Sequence, residues 1–250
     1  MSRRILITRP LEEARAMANE IAAQGGQGLL FPVTRVLELQ PSRTLGAVFP
    51  DLVAGKNAPD WILFTSQRAV DIFSREFKKN HSLNAFPKQT RIAAVGPTTE
   101  ERLKTCGFPV HLVPKKHVAE GLLESIGDVA GKKILIPRSR EGREILAREL
   151  KERGADVHEI FLYTMEALTP EPHLMEEARR GFDAVIFASP SGVKAFFKAI
   201  SGEKWDLSGK DFFVMGLVTR VELEKHGSFK IHTASIATSL GLVDAALTRI

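Results

Sequence analysis

WILFTSQRAVDIF, residues 61–73, is the stretch from which the fold is read. Trp61 to Phe64 are four apolar residues with no polar alternation. They read as a short strand buried on both faces. Ser66 then stands as the N-cap of the helix that follows. A strand, a hydroxyl-bearing turn and a helix are the repeating step of a parallel sheet covered by helices. The passage returns as VIFASPSGVKAFF, residues 185–197, with Ser66 matched by Ser189 and Val70 by Val193.

Outward from this match the likeness continues. AVGPTTEERLKTCGF pairs with VMGLVTRVELEKHGSF, bringing Thr99 opposite Thr219 and Gly107 opposite Gly227. ILITRPLE pairs with ILIPRSRE, bringing Arg9 opposite Arg138 and Glu12 opposite Glu141. The chain is an internal duplication. Strands are read at Ile5–Thr8, Leu29–Phe31, Trp61–Phe64, Ile92–Val95, His111–Val113, Ile134–Ile136, Glu159–Tyr163, Ala184–Phe187, Phe212–Met215 and Lys230–His232. Pro10 opens a helix whose inner face carries Leu11, Ala14, Ala18 and Ile21. Each half has about five strands, the number a flavodoxin-like doubly wound unit needs. Val33–Leu39 and Val157–Thr164 lack a following helix of the repeat type and read as linkers paired with each other. A helix around Leu45–Ala54 is interrupted by Pro50.

The composition fits an ordinary globular protein: 250 residues, 44% hydrophobic and 26% charged, enough apolar material for two modest cores. Lys and Arg number 35 against 30 Asp and Glu, a formal charge of +5. That mild excess suits an anionic ligand. Nucleic acid is disfavoured, because basic residues form no block and two Trp and one Tyr leave little for base stacking. The lone Cys106 can form no intrachain disulfide and reads as a buried residue at a helix end, in keeping with a cytoplasmic protein. The apolar run Ile5–Ile7 is too short for a secretory core, and no run reaches bilayer length.

Standard cofactor and catalytic motifs are absent. GGQGLLF follows a helix and lacks the third glycine of a dinucleotide fingerprint, and GDVAGKK and SGEKWDLSGKD have the wrong spacing for a P-loop. The histidines are scattered, so no metal site is expected. What stands out is the set of residues just after the strands: Thr8-Arg9-Pro10, Thr65-Ser66, Gly96 to Thr99, Pro137-Arg138-Ser139, Ser189-Pro190-Ser191 and Gly216 to Thr219. In a parallel sheet they share the carboxyl edge, where helix N-termini bind anions. Two such edges facing each other would make a cleft lined with donors. Ser66, Ser139 and Ser189 also serve as plain N-caps, and Thr98 with Glu101 and Thr219 with Glu222 spell capping boxes. Tyr163 sits in an apolar strand and is equally a core residue on sequence alone.

With these residues in view, the chain resembles the uroporphyrinogen-III synthase family nearly end to end. The resemblance rests on ILITRP, the FTS of WILFTSQRAV, AVGPTTEERLKTCGF, HLVP, ILIPRSREGREIL with KERGADV, the tyrosine of EIFLYT, FASPSGVKAFF and TSLGLVDAAL. It implies two flavodoxin-like doubly wound domains joined by a two-stranded linker, with the strands interleaved. Residues 1–35 and 168–250 form one domain and 36–167 an inserted second.

The resemblance also implies a reaction of tetrapyrrole biosynthesis, the route to haem, sirohaem and cobalamin. Hydroxymethylbilane loses water to give an azafulvene, the last ring attacks through its substituted carbon, and the spiro intermediate rearranges to uroporphyrinogen III. The implied activity is that of a carbon–oxygen hydro-lyase without cofactor or metal. The implied state is a monomer in transient contact with hydroxymethylbilane synthase. By motif, Arg9, Thr65, Ser66, Gly96, Thr99, Arg138, Ser189, Ser191 and Thr219 fall on the substrate, and Tyr163 near the leaving hydroxyl. Val218 and Ala188 depart from the repeat, opposite Thr98 and Thr65. The alternatives are a non-catalytic two-lobed tetrapyrrole or metabolite sensor, and a periplasmic-type solute receptor.

Overall fold

The structure is a computed structural model that describes residues 2–142, 144–202 and 204–248, with Ser42 described by its backbone alone. In chain order the elements are β1 (Arg4–Ile7), α1 (Leu11–Ala23), β2 (Gln27–Leu30), β3 (Thr34–Glu38), α2 (Pro41–Gly46), α3 (Phe49–Val53), β4 (Trp61–Phe64), α4 (Gln67–Asn80) and β5 (Arg91–Ala94). They continue with α5 (Pro97–Thr105), α6 (Ala119–Ser125), β6 (Lys133–Ser139), α7 (Ile145–Glu152), β7 (Asp156–Ala167) and α8 (Pro172–Arg179). The last are β8 (Ala184–Phe187), α9 (Pro190–Ile200), β9 (Asp211–Val214), α10 (Leu217–Glu224), β10 (Lys230–Thr233) and α11 (Ser239–Thr248).

The chain divides into two compact units, one of residues 1–36 and 165–250, the other of residues 37–164. The first unit holds a five-stranded sheet in the order β10-β9-β8-β1-β2, parallel throughout. Its central strands β1, β8 and β9 are apolar at every interior position because both faces are covered. Leu6, Val185, Phe187, Phe212 and Val214 face one core with Phe196 and Leu223. Ile5, Ile7, Ala184, Ile186 and Phe213 face the other with α1 and α11. The period-2 alternation of a strand thus meets a helix layer on each side. On α1 the buried residues are Ala14, Met17 and Ile21, whereas Leu11 stays exposed, so the inner face is rotated from the one read in the sequence.

In the second unit the order is β3-β7-β6-β4-β5. Trp61, Leu63, Ala93, Ile134 and Ile136 pack under α6 and α7 on one face. On the other, Phe64 meets Phe73, which joins Phe49, Phe77 and Phe108 in edge-on and stacked contacts. Residues 111–113 form no full strand. Leu112 makes one parallel bridge to Ala93, and Pro109 and Pro114, which lack N–H donors, bracket it. Pro50 sits in the first turn of α3, so the region read as one interrupted helix is two short ones. Val157–Thr164 is more than a linker: β7 pairs in parallel with β6 from Asp156 onward. Its far side meets the other crossing, with Leu39 N–H on Leu162 O and Leu168 N–H on Val33 O, both at 2.9 Å.

The repeat shows in space. Strands matched by sequence, β8 with β4, β9 with β5 and β1 with β6, take the same places in the two sheets, and the Leu112 bridge stands where β10 does. The chain visits those places differently. Strand order reverses between β1 and β8 in one unit and between β4 and β6 in the other. These are the matched points at which open α/β sheets bind ligands.

Candidate functional site

The residues beyond the carboxyl ends of β4 and β6 enclose a cavity of about 320 Å³. Thr65, Ser66, Ile136, Arg138, Ser139, Gly142 and Tyr163 line it, with His117 and Val118 at the start of α6. This is the size range of a small-molecule site. Of the residues expected from sequence, it brings together Thr65, Ser66, Arg138 and Tyr163. Gly96 is buried beside it, where a Cβ would stand 3.3 Å from the His117 Cβ.

Ser66 caps α4 by accepting the Ala69 N–H at 3.2 Å, and its Oγ lies 3.1 Å from the Tyr163 hydroxyl. Tyr163 is brought there by a slip in register. Arg138 pairs with Phe161, but Ser139 pairs with Tyr163, skipping Leu162. The alternation of burial breaks at that point: Phe161 is exposed, while Leu162 and Tyr163 are both buried. Such irregularities re-aim side chains beside sites.

Arg138 is buried and each of its three guanidinium nitrogens makes a hydrogen bond. It bonds Glu159 Oε2 at 2.8 Å and Ser139 O at 3.1 Å, and it also donates to Gly142 O. Its guanidinium lies 5.7 Å from the centre of the Phe161 ring. It therefore anchors the loop at the cavity rim, where Arg140 N–H meets Tyr163 O at 2.9 Å and Thr164 bonds Glu141. Ser139 ends β6 and opens no helix, since α7 begins only at Ile145.

The matched edge of the other unit is built from Thr8, Arg9, Ser189, Ser191 and Gly216. Thr8 Oγ1 donates to Ile186 O at 2.7 Å, tying the ends of β1 and β8. Ser189 caps α9 through Gly192 N–H at 3.2 Å, with Ser191 Oγ 3.0 Å away. Arg9 donates to Ser239 Oγ at 2.5 Å and pairs with Glu13.

Neither Thr98 nor Thr219 caps a helix. Gly96 and Gly216 hold the cap positions, with no side-chain cap bond, so the two threonines lie within the first turns of α5 and α10. Thr99 and Thr219 are buried. Glu222 turns instead to Lys225, and that hydrogen bond holds its carboxyl below the ordinary carboxylate value. Sequence reading passed over His117, Glu159 and Ser239. The basic run Lys115-Lys116-His117 before α6 was a signal for the first, and the other two are contacts across the chain with no local signature. Among the described residues no group of three His, Cys, Asp or Glu could hold a metal ion.

Two doubly wound α/β units whose strand-end edges carry helix N-termini, hydroxyls and arginine define the class of protein, a two-unit α/β protein with matched strand-end edges. The family described as uroporphyrinogen-III synthase HemD matches residues 15–244. The uroporphyrinogen-III synthase of Chlorobaculum parvum is 29% identical over 89% of this chain and 89% of its own length. The crystal structure of a mutant uroporphyrinogen III synthase of the extremely thermophilic bacterium Thermus thermophilus superposes over 100% of both chains, with a TM-score of 0.65 at 20% identity. That of the Helicobacter pylori uroporphyrinogen-III synthetase covers 98% of this chain and 99% of its own, with a TM-score of 0.62 at 16% identity. The two structures share the fold. The chain belongs to the uroporphyrinogen-III synthase family.

Proposed function

We propose that the chain converts hydroxymethylbilane to uroporphyrinogen III, acting as a hydro-lyase that needs no cofactor. The observation that carries this reading is the Tyr163 hydroxyl in the cavity of residues 37–164, 3.1 Å from Ser66 Oγ at the N-terminus of α4. A proton donor there stands beside a helix end suited to a carboxylate. The substrate bears acetate and propionate groups on every ring, and its hydroxyl leaves as water once protonated. Closure without an enzyme gives the uninverted isomer, so catalysis lies chiefly in bending and holding the chain.

In this reading Arg9, Thr65, Ser66, Gly96, Thr99, Arg138, Ser189, Ser191 and Thr219 meet the substrate. Thr65, Ser189 and Ser191 offer hydroxyls. The buried Thr99 and Thr219 offer backbone N–H groups in the first turns of their helices, as does Ser66 at its own. Tyr163 protonates the leaving hydroxyl. The protein acts as a cytoplasmic monomer, taking its short-lived substrate from hydroxymethylbilane synthase.

The test is to supply freshly generated hydroxymethylbilane to protein free of metal and nucleotide, then separate the product isomers. The type III isomer is expected. Only type I product from folded protein overturns the reading.

A further inference from the structure

We infer that Ser66 is the positioning residue of Tyr163: its hydroxyl donates to the phenol oxygen, turning the phenol proton into the cavity. The inference deepens the reading above and rests on it for the reaction, though not for the hydrogen bond itself.

A serine hydroxyl has one proton and two lone pairs. One lone pair of Ser66 Oγ takes the Ala69 N–H at 3.2 Å. The phenol oxygen of Tyr163 lies 3.1 Å away, and heavy-atom positions alone permit either direction of donation. Two effects choose the direction. An oxygen that already accepts a hydrogen bond is polarised into a better donor. Ser66 also stands at the N-terminus of the 14-residue α4, whose positive end weakens Oγ as an acceptor and strengthens its O–H as a donor. Ser66 therefore gives its proton to Tyr163, and the phenol proton is left to point elsewhere. Tyr163 also lines the cavity, so that direction is available.

The chemistry balances. The phenol proton passes to the hydroxyl oxygen of the substrate, and the carbon–oxygen bond breaks with its electron pair leaving on that oxygen as water. The pyrrole nitrogen pair moves in to form the azafulvenium ion. The phenolate left behind accepts from Ser66 and faces the helix end. It regains a proton when ring closure releases one.

The test uses Ser66→Ala, Ser66→Asp and Ser66→Thr in the full chain, with Ser66→Ala repeated on Tyr163→Phe. Aspartate caps a helix as well as serine does but offers the phenol no proton. Alanine and aspartate are each expected to lower kcat about tenfold, the scale of one hydrogen bond. KM should stay within about twofold for alanine and rise for aspartate, whose charge opposes a substrate carboxylate at the same helix end. Threonine, which keeps both the cap and the donor, recovers the rate. On the Tyr163→Phe background Ser66→Ala has no further effect on kcat. The chain has a single tyrosine, so protein labelled with 13C at tyrosine Cζ gives one resonance. Without substrate, that resonance shifts in the alanine and aspartate variants and stays in place in the threonine variant. An equal kcat loss on both backgrounds, or an unmoved resonance, overturns the inference. Failure of the functional reading has another signature: the unaltered protein would yield only the uninverted isomer, whatever the resonance does.

Discussion

Gly121 lies against the carbonyl oxygen of Lys116, so close that a Cβ on Gly121 would stand 2.1 Å from it. Gly241 stands in the same relation to Ile236 O, at 2.2 Å. Each glycine is the third residue of its helix, α6 or α11, and each carbonyl also accepts the N–H two residues on, at 2.8 Å. The obstacle is backbone, which no side-chain rotation relieves. Gly121→Ala must displace residues 116–118, which carry His117 and Val118 to the cavity. A loss of about 1–3 kcal/mol is expected, typical of overpacking, together with a raised KM. Urea denaturation and steady-state kinetics check this, and an unchanged midpoint would refute it.

Tyr163→Phe removes one hydroxyl and leaves the buried ring in place. Turnover should fall about ten- to a hundredfold, the low end of general acid–base effects, because the leaving group departs readily from an electron-rich pyrrole. Thermal unfolding should shift little, since the lost bond to Ser66 is worth about 1 kcal/mol. A rate equal to that of the unaltered protein would make Tyr163 a core residue only.

Residues 37–164 hold most of a sheet and its cores, including the cluster from Trp61 to Ala155. We propose that this stretch is an inserted domain and expect it, expressed alone, to unfold cooperatively in urea by both far-UV circular dichroism and tryptophan fluorescence. The sequence repeat by itself suggests a simple cut near Gly127 instead, and the division would be wrong if the fragment were unfolded while residues 1–127, the first half of that repeat, folded by themselves.

The strands were legible because both faces of each sheet are covered, which writes them as unbroken apolar runs such as Trp61–Phe64 and Ala184–Phe187. The duplication was legible because matched strands keep matched surroundings. Caps were read less well. Thr98 and Thr219 fit the capping-box pattern, yet each helix begins from the glycine before, where Pro97 or Leu217 takes the first turn. Ser139 reads as a cap, but β6 runs on to include it. The partners of Arg138 were hidden because Glu159 is far along the chain and Gly142 contributes only a carbonyl. Nothing in the local sequence marks the slip that places Tyr163.

Asp211 joins β1, β9 and β10 at the start of the first sheet. It pairs with Arg3, with Lys230 at 2.9 Å and with His232 at 2.8 Å. Burial pushes its carboxyl up, but the bonds from Lys230 and His232 and the charge of Arg3 outweigh that and hold it below the ordinary value. A carboxyl depressed on folding stabilises the protein above its unfolded value, near 3.8, and that contribution is lost as pH falls through the lower folded value. Asp211→Asn should lower stability at neutral pH by about 2 kcal/mol. The gap to the unaltered protein should close below about pH 4. Denaturation midpoints from pH 3 to 7 that stay parallel would contradict this.

The first unit exposes its large apolar side chains on one edge. Among the described residues these are Leu11, Leu217, Val218, Val221, Ile236 and Leu240, and all follow the carboxyl ends of β1, β9 and β10. Leu217 is 71% and Val218 59% exposed, in the place where the repeat has Pro97 and Thr98. Water-facing side chains of this kind contribute little to folding, and we propose that their clustering at this edge makes a contact surface for the substrate. The proposed substrate supplies the complement, since its pyrrole faces and methylene bridges are apolar between the carboxylates. Replacing Leu217 and Val218 together by serine should raise KM about tenfold, from about 1–2 kcal/mol of burial lost at about 25 cal/mol per Å². That burial serves substrate and transition state alike, so kcat should change little. The midpoint of unfolding should also hold, because neither side chain belongs to a core. Unchanged KM in the double variant would show that the exposed edge does not touch the pyrroles.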